Sequence, residues 1–125
     1  MKKVFIVDDD NMYQMILKYQ MLKVNKELYV QSFANGRPAM ELLTQLPDTE
    51  LPDIILLDIN MPTMDGWQFL AACEQLPEER LNRSVIYMIS SSLDTRDKER
   101  ALASRFVKEY ICKPVTAEQL AQMLS

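Results

Sequence analysis

The chain has 125 residues, 48% of them hydrophobic and 26% charged, with a net charge of −4. That is enough for one domain with its own core, and the wrong sign for a nucleic-acid surface. It has no histidine and only two cysteines, Cys73 and Cys112, which excludes structural zinc, Ser-His and Cys-His catalysis, and a phosphohistidine on this chain.

Any metal must then be held by oxygen, as magnesium, manganese or calcium are. Both cysteines read as buried small apolar residues. The opening "MKKVFIVDDD" starts like a secretory signal, but its apolar run, Val4-Phe5-Ile6-Val7, is too short for one. No apolar run approaches the ~20 residues that span a bilayer. A cytoplasmic protein with no membrane or nucleic-acid partner is expected.

Val4-Phe5-Ile6-Val7 has the unbroken hydrophobicity of a strand buried on both faces. After three aspartates, Met12, Met15, Ile16, Tyr19 and Leu22 recur at helical spacing, with Asn11 as N-cap. Residues 28–33 read as a second strand. Asn35 caps a helix whose first turn accepts Pro38 and whose core face is Ala39, Leu42, Leu43 and Leu46. Ile54-Ile55-Leu56-Leu57 is a third strand, ending at Asp58. Asp65 caps a helix with Phe69, Leu70, Cys73 and Leu76 inward. The polar loop at 77–83 is long enough to vary freely. Residues 85–89 form a fourth strand, and Asp94-Thr95 opens a charged helix anchored by Ala101 and Leu102. Residues 106–112 hold a fifth strand. Thr116-Ala117-Glu118-Gln119 is a capping box before the stripe Leu120, Met123 and Leu124.

Strict strand–helix alternation implies a doubly wound parallel five-stranded α/β sheet, helices on both faces, in one domain over residues 1–125. In such sheets ligands bind beyond the C-terminal strand ends. Strand one ends in Asp8, Asp9 and Asp10, strand three in Asp58, strand four in Ser90, and strand five runs into Lys113-Pro114. Asp10 reads as solvated or part of the helix cap. Crowded carboxylates repel one another unless a cation joins them, and magnesium suits such an oxygen set.

Four fragments in order, "FIVDDD", "ILLDINMPTMDGW", "YMISSS" and "YICKP", each at a predicted strand end, resemble the receiver domain of two-component response regulators, of the stand-alone chemotaxis-regulator type. The resemblance covers nearly the whole chain. It implies the flavodoxin-like (βα)5 order 2-1-3-4-5. It implies Asp58 as phosphoacceptor, Mg2+ (or Mn2+) held by Asp8, Asp9, Asp58 and the backbone carbonyl of Asn60, and Ser90 and Lys113 as phosphoryl contacts. Tyr110 matches the switch aromatic, Lys113–Pro114 is expected cis, and Asn60 and Ser92 tune dephosphorylation. Both are small and polar, so a moderate phosphoryl lifetime is expected. Phe106 and Val107 replace the small residues usual before the switch aromatic and suggest tight packing under helix four.

The chemistry agrees. An aspartate is a competent nucleophile toward an activated phosphoryl group, and magnesium, Lys113 and Ser90 can stabilise charge on the transferring oxygens. The donor must be another molecule: a sensor histidine kinase, a histidine phosphotransfer protein or a small phosphorylated compound. Phosphorylation would draw Ser90 from its place, let Tyr110 rotate inward and change the surface of helix four, strand five and helix five for a downstream protein, as a monomer or a phosphorylation-dependent dimer. Met1 directly before strand one reads as a natural start, and Ser125 leaves no room for an output domain. The alternatives are a receiver cut from a longer regulator or hybrid kinase, a pseudo-receiver, and an aspartyl-phosphate phosphatase of the haloacid-dehalogenase type. The last needs an acid where Asn60 stands, and a cap insertion.

Overall fold

Five strands pair in parallel, in the order β2-β1-β3-β4-β5, in a computed structural model that describes residues 2–125. Met1, read above as a natural start, lies outside the described residues. In chain order the elements are β1 (Lys3–Val7), α1 (Asn11–Val24), β2 (Tyr29–Phe33), α2 (Gly36–Gln45), a 3-10 turn (Asp48–Glu50), β3 (Ile54–Asp58), α3 (Gly66–Cys73), β4 (Val85–Ser90), α4 (Thr95–Leu102), β5 (Val107–Cys112) and α5 (Ala117–Leu124). The two central runs lie side by side, Val4 opposite Ile54 and Val7 opposite Leu57. Each is buried on both faces, which is why neither alternates.

Two cores flank the sheet. Phe5, Val7, Ile55 and Leu57 pack with α2, α3 and Ala101 of α4 on one side; Val4, Ile6, Leu56 and Ile89 pack with Leu17, Met21, Leu120 and Met123 of α1 and α5 on the other. This is the doubly wound arrangement expected from alternation.

Several details differ from the sequence expectation. Asp10, not Asn11, caps α1, its carboxylate accepting the Tyr13 N–H at 3.1 Å. The inward face of α1 is Leu17 and Met21, while Met12, Met15, Ile16 and Tyr19 stand exposed. Both sets have helical spacing, so periodicity alone does not say which faces the sheet. In α2 the fully inward residues are Gly36, Ala39, Met40 and Leu43, with Leu42 and Leu46 half-buried. Leu102 is exposed and does not anchor α4; Ala101 is buried, and the Arg100 guanidinium stacks 4.1 Å from the Trp67 ring on α3. Cys112 is exposed, since β5 is an edge strand, whereas Cys73 is buried and burial pushes its thiol up to about 12.

The 77–83 loop is fastened at Arg80. The Arg80 guanidinium donates to the carbonyls of Leu43 and Leu46 at the end of α2 and pairs with Asp48 at 2.6 Å. Those carbonyls are among the last of α2, which have no partner inside the helix.

Candidate functional site

Each rim residue is delivered by an element whose termination the sequence dictates. The apolar run of β1 ends at Asp8, fully buried, followed by the exposed Asp9. β3 carries Asp58 out of the core with 5% of its surface exposed. Oxygens of Asp8, Asp9 and Asp58 lie within 4.8 Å of one another. The side chain of Lys113 arrives from the end of β5, its Nζ 2.8 Å from Asp8 Oδ2 and 3.4 Å from Asp58 Oδ1. The Lys113–Pro114 peptide is cis. An open cleft of about 920 Å³ walled by Asp48, Asp53, Arg80 and Arg83 lies at the other end of the strands and touches none of these groups.

Asp8 is locked by the backbone. Its Oδ1 accepts the Asp10 N–H at 2.9 Å, and its own N–H donates to Phe33 O at 3.0 Å. The Gln14 side-chain amide, one turn into α1, donates to both the Asp8 and Phe33 carbonyls. Asp8 Oδ2 is buried yet has no aligned hydrogen-bond donor among the described residues, although Lys113 Nζ stands close enough for an ion pair. A buried carboxylate oxygen left with only a charge partner fits a site with room for a cation. The donor set is all carboxylate, which suits Mg2+ or Mn2+.

Burial, and then the charge of Asp8, raise the Asp58 carboxyl to about 6, against the pull of Lys113. For Lys113, burial acts to lower the ammonium, but the attraction of the Asp8 and Asp58 carboxylates together outweighs it and holds the group above the ordinary lysine value.

Ser90 is fully buried at the end of β4, and its Oγ accepts the Ser92 N–H at 2.9 Å. Ser92 Oγ accepts the Asp94 N–H at 3.1 Å, and Asp94 caps α4. The row of serines is thus a ladder of side-chain turns that leads the chain from β4 into α4. Tyr110 is already inside, 9% exposed, its hydroxyl donating to Ser92 O at 3.2 Å. Val107 is buried in the same core as Ala101 of α4, and Phe106 packs half-buried against it. Asn60 is exposed, two residues beyond Asp58.

Gly66 and Tyr13 escaped the sequence reading. Gly66 opens α3 directly behind Asp58: a Cβ there would stand 2.7 Å from Asp58 O and 2.9 Å from Ile59 Cα. Its position in the "MDG" fragment was the available signal. Tyr13 gave none, because its partner, the Val115 N–H at 2.9 Å, lies 102 residues away.

A model of the response regulator receiver domain matches residues 4–125. The chain is 30% identical over 122 residues to a probable C4-dicarboxylate response regulator, DctR, of Bacillus subtilis, covering 98% of this chain and 50% of that protein. It is 29% identical over 116 residues to the sensor histidine kinase GacS of Pseudomonas protegens, covering 93% of this chain and 12% of that protein. The chain therefore spans half or less of the length of these two relatives. A crystal structure of a two-component response regulator from Cytophaga hutchinsonii superposes with a TM-score of 0.90 at 32% identity, covering 99% of this chain and 94% of that one.

Proposed function

The chain belongs to the response regulator receiver domain family, a family of phosphorelay signalling domains and not of turnover enzymes, and from that premise we propose that Asp58 is the phosphoacceptor. An Asp58 carboxylate oxygen attacks phosphorus of a phosphohistidine; the P–N bond breaks, the imidazole keeps the electron pair, and an acyl phosphate forms. Lys113 and Ser90 contact the transferred group. Asp8, Asp9, Asp58 and the Asn60 carbonyl would hold Mg2+, for which Mn2+ could substitute. The ion, when bound, offsets the carboxylate repulsion and the charge on the phosphoryl oxygens. The observation that carries this reading is the three carboxylates within 4.8 Å with Lys113 Nζ bridging Asp8 and Asp58.

The donor is a sensor histidine kinase or a histidine phosphotransfer protein, and the location is the cytoplasm. Among the described residues no helix is long and apolar enough to cross a membrane. The output is the α4–β5–α5 face, read by a downstream protein. Asn60 and Ser92, both small and polar, leave water access and give a moderate phosphoryl lifetime. Asp58→Asn abolishes the mass gain on incubation with acetyl phosphate and Mg2+; a variant that still gains it overturns the assignment. Beryllofluoride-treated protein used as bait identifies the partner. A second reading, a receiver segment within a longer regulator or hybrid kinase, is favoured by the half-length match to DctR and the 12% match to GacS. The length of the native gene product distinguishes the two.

A further inference from the structure

Tyr13 stands on the first turn of α1, half-buried, and takes no part in the site as described so far. Two contacts tie it to the Lys113 loop. Its hydroxyl accepts the Val115 N–H at 2.9 Å. Its ring lies 4.9 Å from Lys113 Nζ. Lys113 itself is fixed on its N-terminal side by its own N–H, which donates to Ser90 O at 2.8 Å. Pro114 has no N–H, so Val115 offers the first backbone donor after Lys113 by which the loop can be pinned.

The lysine side chain is long, and its ammonium needs a fixed direction to bridge Asp8 and Asp58. On one side the carboxylates attract it. The face of an electron-rich ring provides a second attraction that does not compete for its protons. We propose that Tyr13 is a positioning residue for Lys113: its hydroxyl anchors the backbone just past the lysine, and its ring holds the ammonium at the carboxylates. The inference rests on the phosphoacceptor reading above, because the reaction that Lys113 serves is phosphoryl uptake by Asp58. Burial raises the Tyr13 hydroxyl above its ordinary value, despite the Val115 bond and the nearby lysine.

The test is a double-mutant cycle on the rate of phosphorylation by acetyl phosphate at saturating Mg2+, using the wild type, Tyr13→Leu, Lys113→Met and the double variant. Tyr13→Leu is expected to slow the reaction about three- to tenfold without weakening Mg2+ binding, and to cost nothing further in the Lys113→Met background. Losses that multiply in the double variant, or a Tyr13→Leu rate equal to wild type, overturn the inference while leaving Asp58 as acceptor. A wild type that takes up no phosphoryl group overturns the phosphoacceptor reading and this inference with it. Tyr13→Phe keeps the ring and loses the anchor; it serves if Tyr13→Leu fails to fold and is expected to fall between wild type and Leu. An independent readout needs no reaction. The ε-methylene proton resonances of Lys113 should lose an upfield ring-current shift in Tyr13→Leu and retain it in Tyr13→Phe, and identical shifts in all three proteins overturn the proposal.

Discussion

Lys113 stands closer to Asp8 than to Asp58, its Nζ 2.8 Å from Asp8 Oδ2 and 3.4 Å from Asp58 Oδ1. Among the described residues the ammonium is the only side-chain cation that pairs with these carboxylates. Removing it leaves a buried acidic cluster uncompensated. Lys113→Ala should destabilise the metal-free fold by roughly 2 kcal/mol, a partly exposed version of a broken buried ion pair. Added Mg2+ should recover most of that loss, and Mg2+ affinity should not fall. Thermal melts with and without Mg2+, plus a metal titration, check both. An unrecovered loss would mean that Lys113 matters through packing.

The raised Asp58 carboxyl gives a pH dependence of definite sign. An aspartate in the unfolded chain titrates near 3.9, whereas Asp58 in the metal-free fold titrates at about 6. Between those values the folded state binds a proton that the unfolded state has lost, so this group's contribution to stability falls as pH rises through that window. Asp58→Asn removes it. The variant should melt above the wild type at pH 7 without metal, and the gap should close as pH falls toward 4. A gap independent of pH would contradict a raised Asp58. Saturating Mg2+ should narrow the gap at pH 7.

Gly66 permits α3 to start against the backbone of Asp58. Its N–H donates to Ile59 O at 2.8 Å, and no side chain fits between. Gly66→Ala should cost on the order of 1–3 kcal/mol from overpacking. It should also slow phosphorylation more than a fold-wide destabilisation of that size explains, since the displaced atoms carry Asp58, the proposed acceptor. Rates measured well below the variant's melting temperature separate the two effects. Normal rates would show that the helix moves and the strand does not.

Thr63 has φ of 67°, a left-handed conformation held by a β-branched residue in the turn between Asp58 and α3. That conformation costs roughly 1–2 kcal/mol for an L-residue, and glycine escapes it, though glycine gives back part through a more flexible unfolded chain. Thr63→Gly should raise stability by about 0.5–1 kcal/mol in denaturant unfolding. A loss instead would mean that the threonine makes a compensating contact.

Much of the site was legible because buried strands deliver whatever follows them to one rim. Asp8 and Asp58 could be placed by the apolar runs before them, and the N-caps Asn35, Asp65, Asp94 and Thr116 stand where their residue types indicated. Contacts between elements distant in the chain were not legible. Tyr13 meets Val115, Gln14 meets Phe33, and Arg80 meets Leu43, and each depends on how helices lie across a finished sheet. The orientation of α1 was ambiguous for a related reason. It carries apolar residues on two faces, and packing against the sheet and α5 puts Leu17 and Met21 in the core.

The bond at Ser90 bears on how a switch at this site would operate. The Ser90 oxygen receives the Ser92 N–H through a lone pair, and that bond leaves its own hydrogen unengaged. Donating that hydrogen to an incoming PO₃ oxygen does not require giving up the bond already held. If Ser90 contacts a phosphoryl group as proposed, its hydrogen can swing toward that group about the Cβ–Oγ bond while the Ser92 turn stays intact.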